Sequence, residues 1–386
     1  MTDRVYLDWN ATTALRPEAR AAMAAVFDLA GNPSSVHAEG RRARKLVEDA
    51  RAAIAVAVGA SSRNVVFTSG GTEANALALT PGLHGATTRP VERLVMSAIE
   101  HASVLAGGRF RAGAISKVRV SRSGVVDLDH LRELLASGPS ALVSIMAANN
   151  ETGALQPIRE AAEIVHKAGG VLHVDAIQVF GKLIIDVNDL GADVITLSAH
   201  KIGGPKGVGA LVLSEGLEGL EPLVRGGGQE LGRRAGTENV AGIAGFAAAS
   251  AAIKSLSEDA ARLGRLRNRL ESGLKQTPGA IIFSEDVPRL PNTTLFTAPG
   301  LRAETAVIGF DLEGIAVSSG SACSSGKVQP SHVLQAMGFG PKLAQEAVRL
   351  SLGWSTSETD IDYCLKAWRK LANTLLRGDE TRLEWF

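Results

Sequence analysis

Lys201 ends the stretch Val194-Ile-Thr-Leu-Ser-Ala-His-Lys201, an apolar run of strand character that passes into the turn-forming Ile202-Gly-Gly-Pro-Lys-Gly-Val-Gly209. A lysine just past such a run, between a histidine and a group of glycines, is poorly explained as a solvated surface charge. An amine in that place can condense with a carbonyl. Val171-Leu-His-Val-Asp-Ala-Ile-Gln178 sets Asp175 and Gln178 at the end of a second apolar run. An unpaired carboxylate there is costly and calls for a cationic partner. Gly70-Gly71-Thr72 stands between a short strand, Asn64 to Ser69, and a helical run from Ala74. Its backbone N–H groups and the helix dipole suit a dianion, and Thr72 adds a hydroxyl. Ser198 and His200 lie beside Lys201, where the phosphate of a lysine-bound cofactor has to be anchored. A carbonyl-trapping lysine, an aspartate for a pyridinium nitrogen and a phosphate turn together make the set that pyridoxal phosphate (PLP) demands.

Each feature also has a bland reading. A glycine turn before a helix is usually punctuation, and a strand-end aspartate is more often a helix cap or a structural ion pair. His101 follows the strand-like segment Arg93 to Ile99. It is either a satisfied structural group or a flat imidazole stacked on a cofactor and moving protons near neutral pH. Asn149-Asn150-Glu151-Thr152-Gly153 follows the apolar strand Ala141 to Met146, and asparagines there are good turn formers unless the strand ends converge. Cys323 sits in Val317-Ser-Ser-Gly-Ser-Ala-Cys-Ser-Ser-Gly326, small residues that describe an exposed loop able to carry a nucleophile. Cys364 shares a helical face with Ile361 and Trp368 and is expected to be buried and inert. Arg349, in the alternating Ala347-Val-Arg-Leu-Ser-Leu-Gly353, suits a bidentate grip on an α-carboxylate, or else a surface pair with Glu346 or Glu358. Neither cysteine has a second ligand at metal spacing. The glycine-rich run from Gly226 to Asn239 is expected to form an ordered loop near the site.

The elements that must position these residues alternate. Strands are predicted at 64–69, 93–97, 141–146, 171–175, 194–198 and 209–213, with helices over about 41–58, 74–79 and from Pro157 to Gly169-Gly170. Such alternation gives an α/β fold with a largely parallel sheet, whose ligands gather at the carboxyl ends of the strands. After about Ser255 the texture changes to a charged helix, short punctuated strands and a final amphipathic helix. The expected division is a large domain over 16–255 and a smaller α+β domain from 1–15 with 256–386. In the 386 residues, 41 basic and 40 acidic side chains nearly cancel, with no charge run that would mark nucleic-acid binding. Two cysteines exclude a disulfide framework, and no apolar signal core or membrane-spanning stretch is seen. A soluble cytoplasmic protein is expected.

Taken in order and spacing, the motifs identify a resemblance. The set runs from Leu7-Asp8 through Asn32-Pro-Ser-Ser-Val-His37, Thr68-Ser-Gly-Gly-Thr-Glu-Ala-Asn75, Asn149-Asn-Glu-Thr-Gly153, Asp175-Ala-Ile-Gln178 and Ser198-Ala-His-Lys201, to Gly320-Ser-Ala-Cys323 and Arg349. The chain resembles the cysteine desulfurases of the NifS and IscS type, PLP-dependent enzymes of the class V aminotransferase family. The resemblance implies the aspartate-aminotransferase-like fold (fold type I), with a mainly parallel seven-stranded sheet in the large domain. It implies that Lys201 holds PLP as a Schiff base, serves as base at Cα and later returns a proton. Cys323 would attack the sulfur of L-cysteine, leaving a persulfide on the enzyme and releasing L-alanine. Gly71, Thr72, Ser198 and His200 would hold the phosphate, Asp175 the ring nitrogen and Gln178 the phenolate oxygen, with His101 stacked on the ring. Asn150 and Arg349 would hold the substrate carboxylate, and Thr237 would reach the phosphate in the other subunit of a homodimer. A sulfur acceptor or iron–sulfur scaffold protein is the implied partner; no resident metal is, although Cys323 could contact a cluster transiently during transfer. Two departures leave these groups in place: Asp8-Trp9-Asn10-Ala11-Thr12 replaces the usual Asp-Asn-Ala-Ala-Thr, and the phosphate turn reads Gly70-Gly71-Thr72. Rival readings are a selenocysteine lyase or aminotransferase of the same fold and, from another class, a sulfur carrier or scaffold without its own chemistry.

Overall fold

The computed structural model describes residues 4–85, 89–253, 255–320 and 329–376. Seven strands form the large sheet, in the spatial order Val65–Thr68, Gly209–Leu213, Val194–Ser198, Val171–Asp175, Ala141–Met146, Arg93–Ser97 and Ile115–Val118. Pairing is parallel from Val194–Ser198 across to Ile115–Val118, while Gly209–Leu213 runs antiparallel to both of its neighbours. The mainly parallel seven-stranded sheet of fold type I is therefore present. Its one reversed strand has a simple cause: the connection after Lys201 is too short for the crossover that a parallel neighbour needs. The edge strand Ile115–Val118, reading Ile-Ser-Lys-Val, escaped the sequence pattern because only its last residue is buried.

Both faces of the sheet are covered, which explains why the central strands read as nearly continuous apolar runs. Leu172, Val174, Ile195 and Leu197 face one core, shared with the helices Ala38–Ala57, Ile158–Lys167 and Val240–Ala251. Leu142, Val171 and Val194 face the other, under the helices Gly71–Ala78 and Ala102–Leu105. The helix Ala38–Ala57 turns Ala43, Val47, Ala50 and Ile54 inward. Among the described residues no single helix is long and apolar enough to cross a membrane.

A second sheet has four antiparallel strands, ordered Ser318–Ser319, Val348–Ser351, Thr293–Thr297 and Ile281–Ile282. The helices Leu256–Leu274, Ala303–Leu312 and Glu358–Leu375 pack on it around Phe296, Phe310 and Trp368. The chain's start joins this core: Val5–Tyr6 pairs with Ile315–Ala316, and Leu7 is buried there. From that anchor residues 8–12 lead to the end of the large sheet.

Candidate active site

The carboxyl ends of the parallel strands converge on a cavity of about 250 Å³. Its walls include Gly71, Thr72, His101, Asn150, Asp175, Gln178, Ser198, His200 and Lys201. Residues as far apart in sequence as Gly71 and Lys201 meet because Gly209, on the strand between theirs, is in register with both Thr68 and Ser198.

At one end the strand Val65–Thr68 turns through Gly70, whose φ of 151° favours glycine, into the helix that begins at Gly71. A Cβ on Gly71 would stand 2.3 Å from Ile177 Cδ1, so no larger residue fits without displacing the cavity wall. Ser198 Oγ is buried and has no hydrogen-bond partner among the described residues. His200 receives a hydrogen bond at Nδ1 from the Thr12 hydroxyl (2.9 Å) when Nε2 carries its proton. Burial, with Lys201 and Lys206 nearby, lowers the His200 pKa to about 4, so the ring is neutral at physiological pH. Helix N-terminus, hydroxyl and neutral imidazole together present donors to an anion.

At the other end Asp175 is 5 % exposed and burial pushes its carboxyl above the usual range. Asn75 Nδ2 donates to Oδ2 (2.8 Å) and the Ile177 amide to Oδ1 (3.0 Å). His101 caps the short helix Ala102–Leu105, with the Ser103 amide donating to Nδ1 at 3.1 Å and Ser103 Oγ at 2.7 Å. Burial lowers the His101 pKa, as do Lys201 and His332, against the pull of Asp175.

The Lys201 ammonium donates to the backbone carbonyls of Asn10 (2.5 Å) and Ala11 (2.9 Å). Gln178 Nε2 also donates to Asn10 O (3.0 Å), while its Oε1 accepts from Lys182 Nζ (2.8 Å). Burial drives the Lys182 amine well below the ordinary lysine range, and Lys201 and Arg349 push the same way. Asn10, Asn75, Ser103 and Lys182 are thus site residues to which the sequence pattern assigned no role. The one available signal was polarity in otherwise apolar surroundings.

Arg349 is buried in the strand Val348–Ser351 and donates to Asn150 O (3.0 Å) and Asp8 Oδ1 (2.8 Å). Its partner is therefore Asp8, not Glu346 or Glu358. Arg349 Nε and Asn150 Oδ1 are buried without hydrogen-bond partners among the described residues. Thr237 lies apart in the single chain, lining a separate hollow with Ser69, Gly207 and Glu230. Cys323 lies outside the described residues. Cys364 is fully buried, and burial pushes its thiol up to about 12. No group of three or more His, Cys, Asp or Glu side chains able to hold a metal occurs among the described residues.

Comparison with known proteins agrees with this architecture. Residues 5–364 match the aminotransferase class-V family. The cysteine desulfurase IscS of Dictyoglomus turgidum is 39% identical over 391 residues, covering 100% of this chain and 98% of that one. A cysteine desulfurase of Cereibacter sphaeroides is 41% identical over 380 residues, covering 97% of each. The NifS-like protein of Rickettsia africae superposes with a TM-score of 0.86 at 39% identity, covering 96% of this chain and 99% of that structure. On fold, strand-end chemistry and full-length similarity, the chain belongs to the aminotransferase class-V family, among its cysteine desulfurases of the NifS/IscS type.

Proposed function

We propose that the protein is a PLP-dependent cysteine desulfurase that converts L-cysteine to L-alanine and carries the removed sulfur as a persulfide on Cys323. The observation that carries this reading is the meeting, in one cavity, of the Lys201 amine, the buried Asp175 carboxylate and a Ser198 hydroxyl that has no partner among the described residues. The wall residues fit PLP. The Gly71 end, Thr72, Ser198 and His200 would hold its phosphate, and the buried Asp175 needs the cation that a protonated ring nitrogen supplies. Gln178 would hold the phenolate oxygen and His101 the ring face. When bound, PLP supplies an electron sink for the pair left at the substrate Cα.

The chain's own groups do the rest. Arg349 and Asn150, each with a polar atom that has no partner among the described residues, bind and orient the substrate carboxylate. Lys201 takes the Cα proton and later returns one to the product. Cys323, as thiolate, attacks the substrate sulfur: the Cβ–S bond breaks, an S–S bond forms, and alanine leaves with one proton in place of the sulfur. The persulfide then serves an acceptor protein in iron–sulfur or other sulfur-cofactor assembly. Thr237 completes the phosphate site of a second copy in a homodimer acting in the cytoplasm. The smaller sheet, with residues 1–15 and 256–386, is the domain that carries the thiol.

The test is to load the protein with PLP, add cysteine, and look for alanine together with a trapped persulfide on Cys323. Borohydride reduction and peptide mapping should place the cofactor on Lys201; an adduct elsewhere sinks the assignment. Cys323→Ser should abolish desulfuration and keep cofactor binding, whereas alanine formed at the original rate would overturn the thiol attack.

A further inference from the structure

Strands buried on both faces are expected to be apolar throughout. The three central strands break that rule on the face beneath the helix Gly71–Ala78, where Ser144, His173 and Thr196 are all fully buried. Register sets Ser144 beside His173 and Thr196 beside Asp175. The polar groups form one continuous chain. Ser144 Oγ lies 2.8 Å from His173 Nδ1, and His173 Nε2 lies 3.2 Å from Thr196 Oγ1. Thr196 Oγ1 donates to Asn75 Oδ1 at 2.6 Å. Asn75 Nδ2 donates to Asp175 Oδ2 at 2.8 Å and to Ser103 Oγ at 2.9 Å.

The direction of each bond follows from the carboxylate. An ionised Asp175 only accepts, so Asn75 turns its NH₂ toward it and its carbonyl toward Thr196. Thr196 spends its one proton on that carbonyl and must accept from His173 Nε2–H. His173 Nδ1 is then an acceptor for the Ser144 hydroxyl. This tautomer requires a neutral ring, and burial lowers the His173 pKa to about 3. Ile177 N–H covers the other carboxylate oxygen, so the groups bonded to Asp175 are donors on both sides. A protonated Asp175 would need an acceptor where Asn75 offers N–H.

We propose that Ser144, His173, Thr196 and Asn75 form a positioning chain that holds Asp175 ionised by presenting it with donors alone. This rests on, and deepens, the reading that Asp175 faces the ring nitrogen of PLP. Burial opposes the ionised form, while His101 and Lys201 favour it from neighbouring elements; the buried Glu100 carboxyl is itself held well above its ordinary range by burial and by Asp175. The hydrogen-bond chain adds a term that no surface charge supplies, because its polarity is fixed by groups sealed from water.

The test needs no cofactor. In apoprotein labelled with ¹³C at aspartate Cγ, the Asp175 resonance is identified by its loss in Asp175→Asn and followed through a pH titration. In Thr196→Val the Asn75 carbonyl loses its donor, so the amide can turn and accept from a protonated Asp175. The midpoint should rise by about one pH unit, the size of one charge-assisted hydrogen bond. Thr196→Ser keeps the hydroxyl and should titrate with the wild type. An unchanged midpoint in Thr196→Val, or an equal shift in Thr196→Ser, overturns the proposal. Should Thr196→Val fail to fold, Asn75→Ala removes the donor itself, and an unchanged midpoint there is equally fatal. The cofactor reading is judged separately, by whether wild-type protein gains a visible absorption band on adding PLP.

Discussion

Replacing Arg349 by lysine isolates the contribution of a guanidinium fork. Arg349 is 2 % exposed and uses its two terminal nitrogens on different partners, Asn150 O and the Asp8 carboxylate. A lysine ammonium keeps the charge but presents a point rather than a fork, so it retains one of these bonds at most. Losing one charge-assisted bond, with Asp8 partly open to water, costs about 1.5 kcal/mol of stability. The larger effect is on substrate. If Arg349 grips the cysteine carboxylate through two parallel N–H bonds, lysine forfeits at least one of them, about 1.4–2.8 kcal/mol, or 10- to 100-fold in affinity. The carboxylate does not react, so the contact acts alike in ground and transition states and the loss falls on KM with kcat little changed. Alanine formation measured against cysteine concentration, with thermal unfolding of the same samples, separates the two effects. Asp8→Asn is the control: it weakens the structural pair and should lower stability without a tenfold rise in KM. An unchanged KM in Arg349→Lys, or a loss confined to kcat, refutes the carboxylate role.

Three further outcomes are expected. Glu151 accepts a hydrogen bond from Ser331 Oγ (2.5 Å), and burial raises its carboxyl from 4.5 to about 7 against the pull of Ser331 and Arg349. A raised acid favours folding while neutral, so its contribution is full below about pH 4.5 and fades as pH rises through 7, a loss of about 3 kcal/mol. Urea unfolding at pH 5 and 8 should show this loss in the wild type but not in Glu151→Gln; equal losses in both would refute it. Glu230 meets Arg51 in a buried fork (2.6 and 2.9 Å) and also accepts from the Phe67 amide. Glu230→Gln strands the guanidinium and should cost about 3 kcal/mol in chemical denaturation, with a cost below 1 kcal/mol contradicting the buried pair. With its thiol pushed up to about 12, Cys364 should resist iodoacetamide at pH 8 in folded Cys323→Ser protein and react only after denaturation. Rapid labelling before unfolding would show that this helix face is not sealed.

Chemistry was legible in the sequence wherever it sat at the end of a local pattern. Asp175 ends a strand, Gly71 opens a helix and Lys201 closes the short turn that follows a strand end, and local periodicity locates such ends within a few residues. The parallel sheet followed from alternation, and the parallel order then required the strand ends to lie together. Ile115–Val118 was missed because an edge strand, half exposed, lacks the apolar run that marks its neighbours. The Asp8 partner of Arg349 is not legible from local pattern, because Asp8 lies 341 positions away and reaches it through the N-terminal segment that joins the smaller sheet.

The order of residues alone therefore determined which groups are available and which strand ends carry them. Tertiary structure decided what those groups face. Lys201 rests on carbonyls contributed by Asn10 and Ala11, about 190 positions earlier, and Asn75 reaches Asp175 across 100. Such bonds depend on strand register and on helices docked over a buried face. Local propensity carries no record of them, because the free energy that selects them arises only once water has been excluded and each buried polar atom must find a partner.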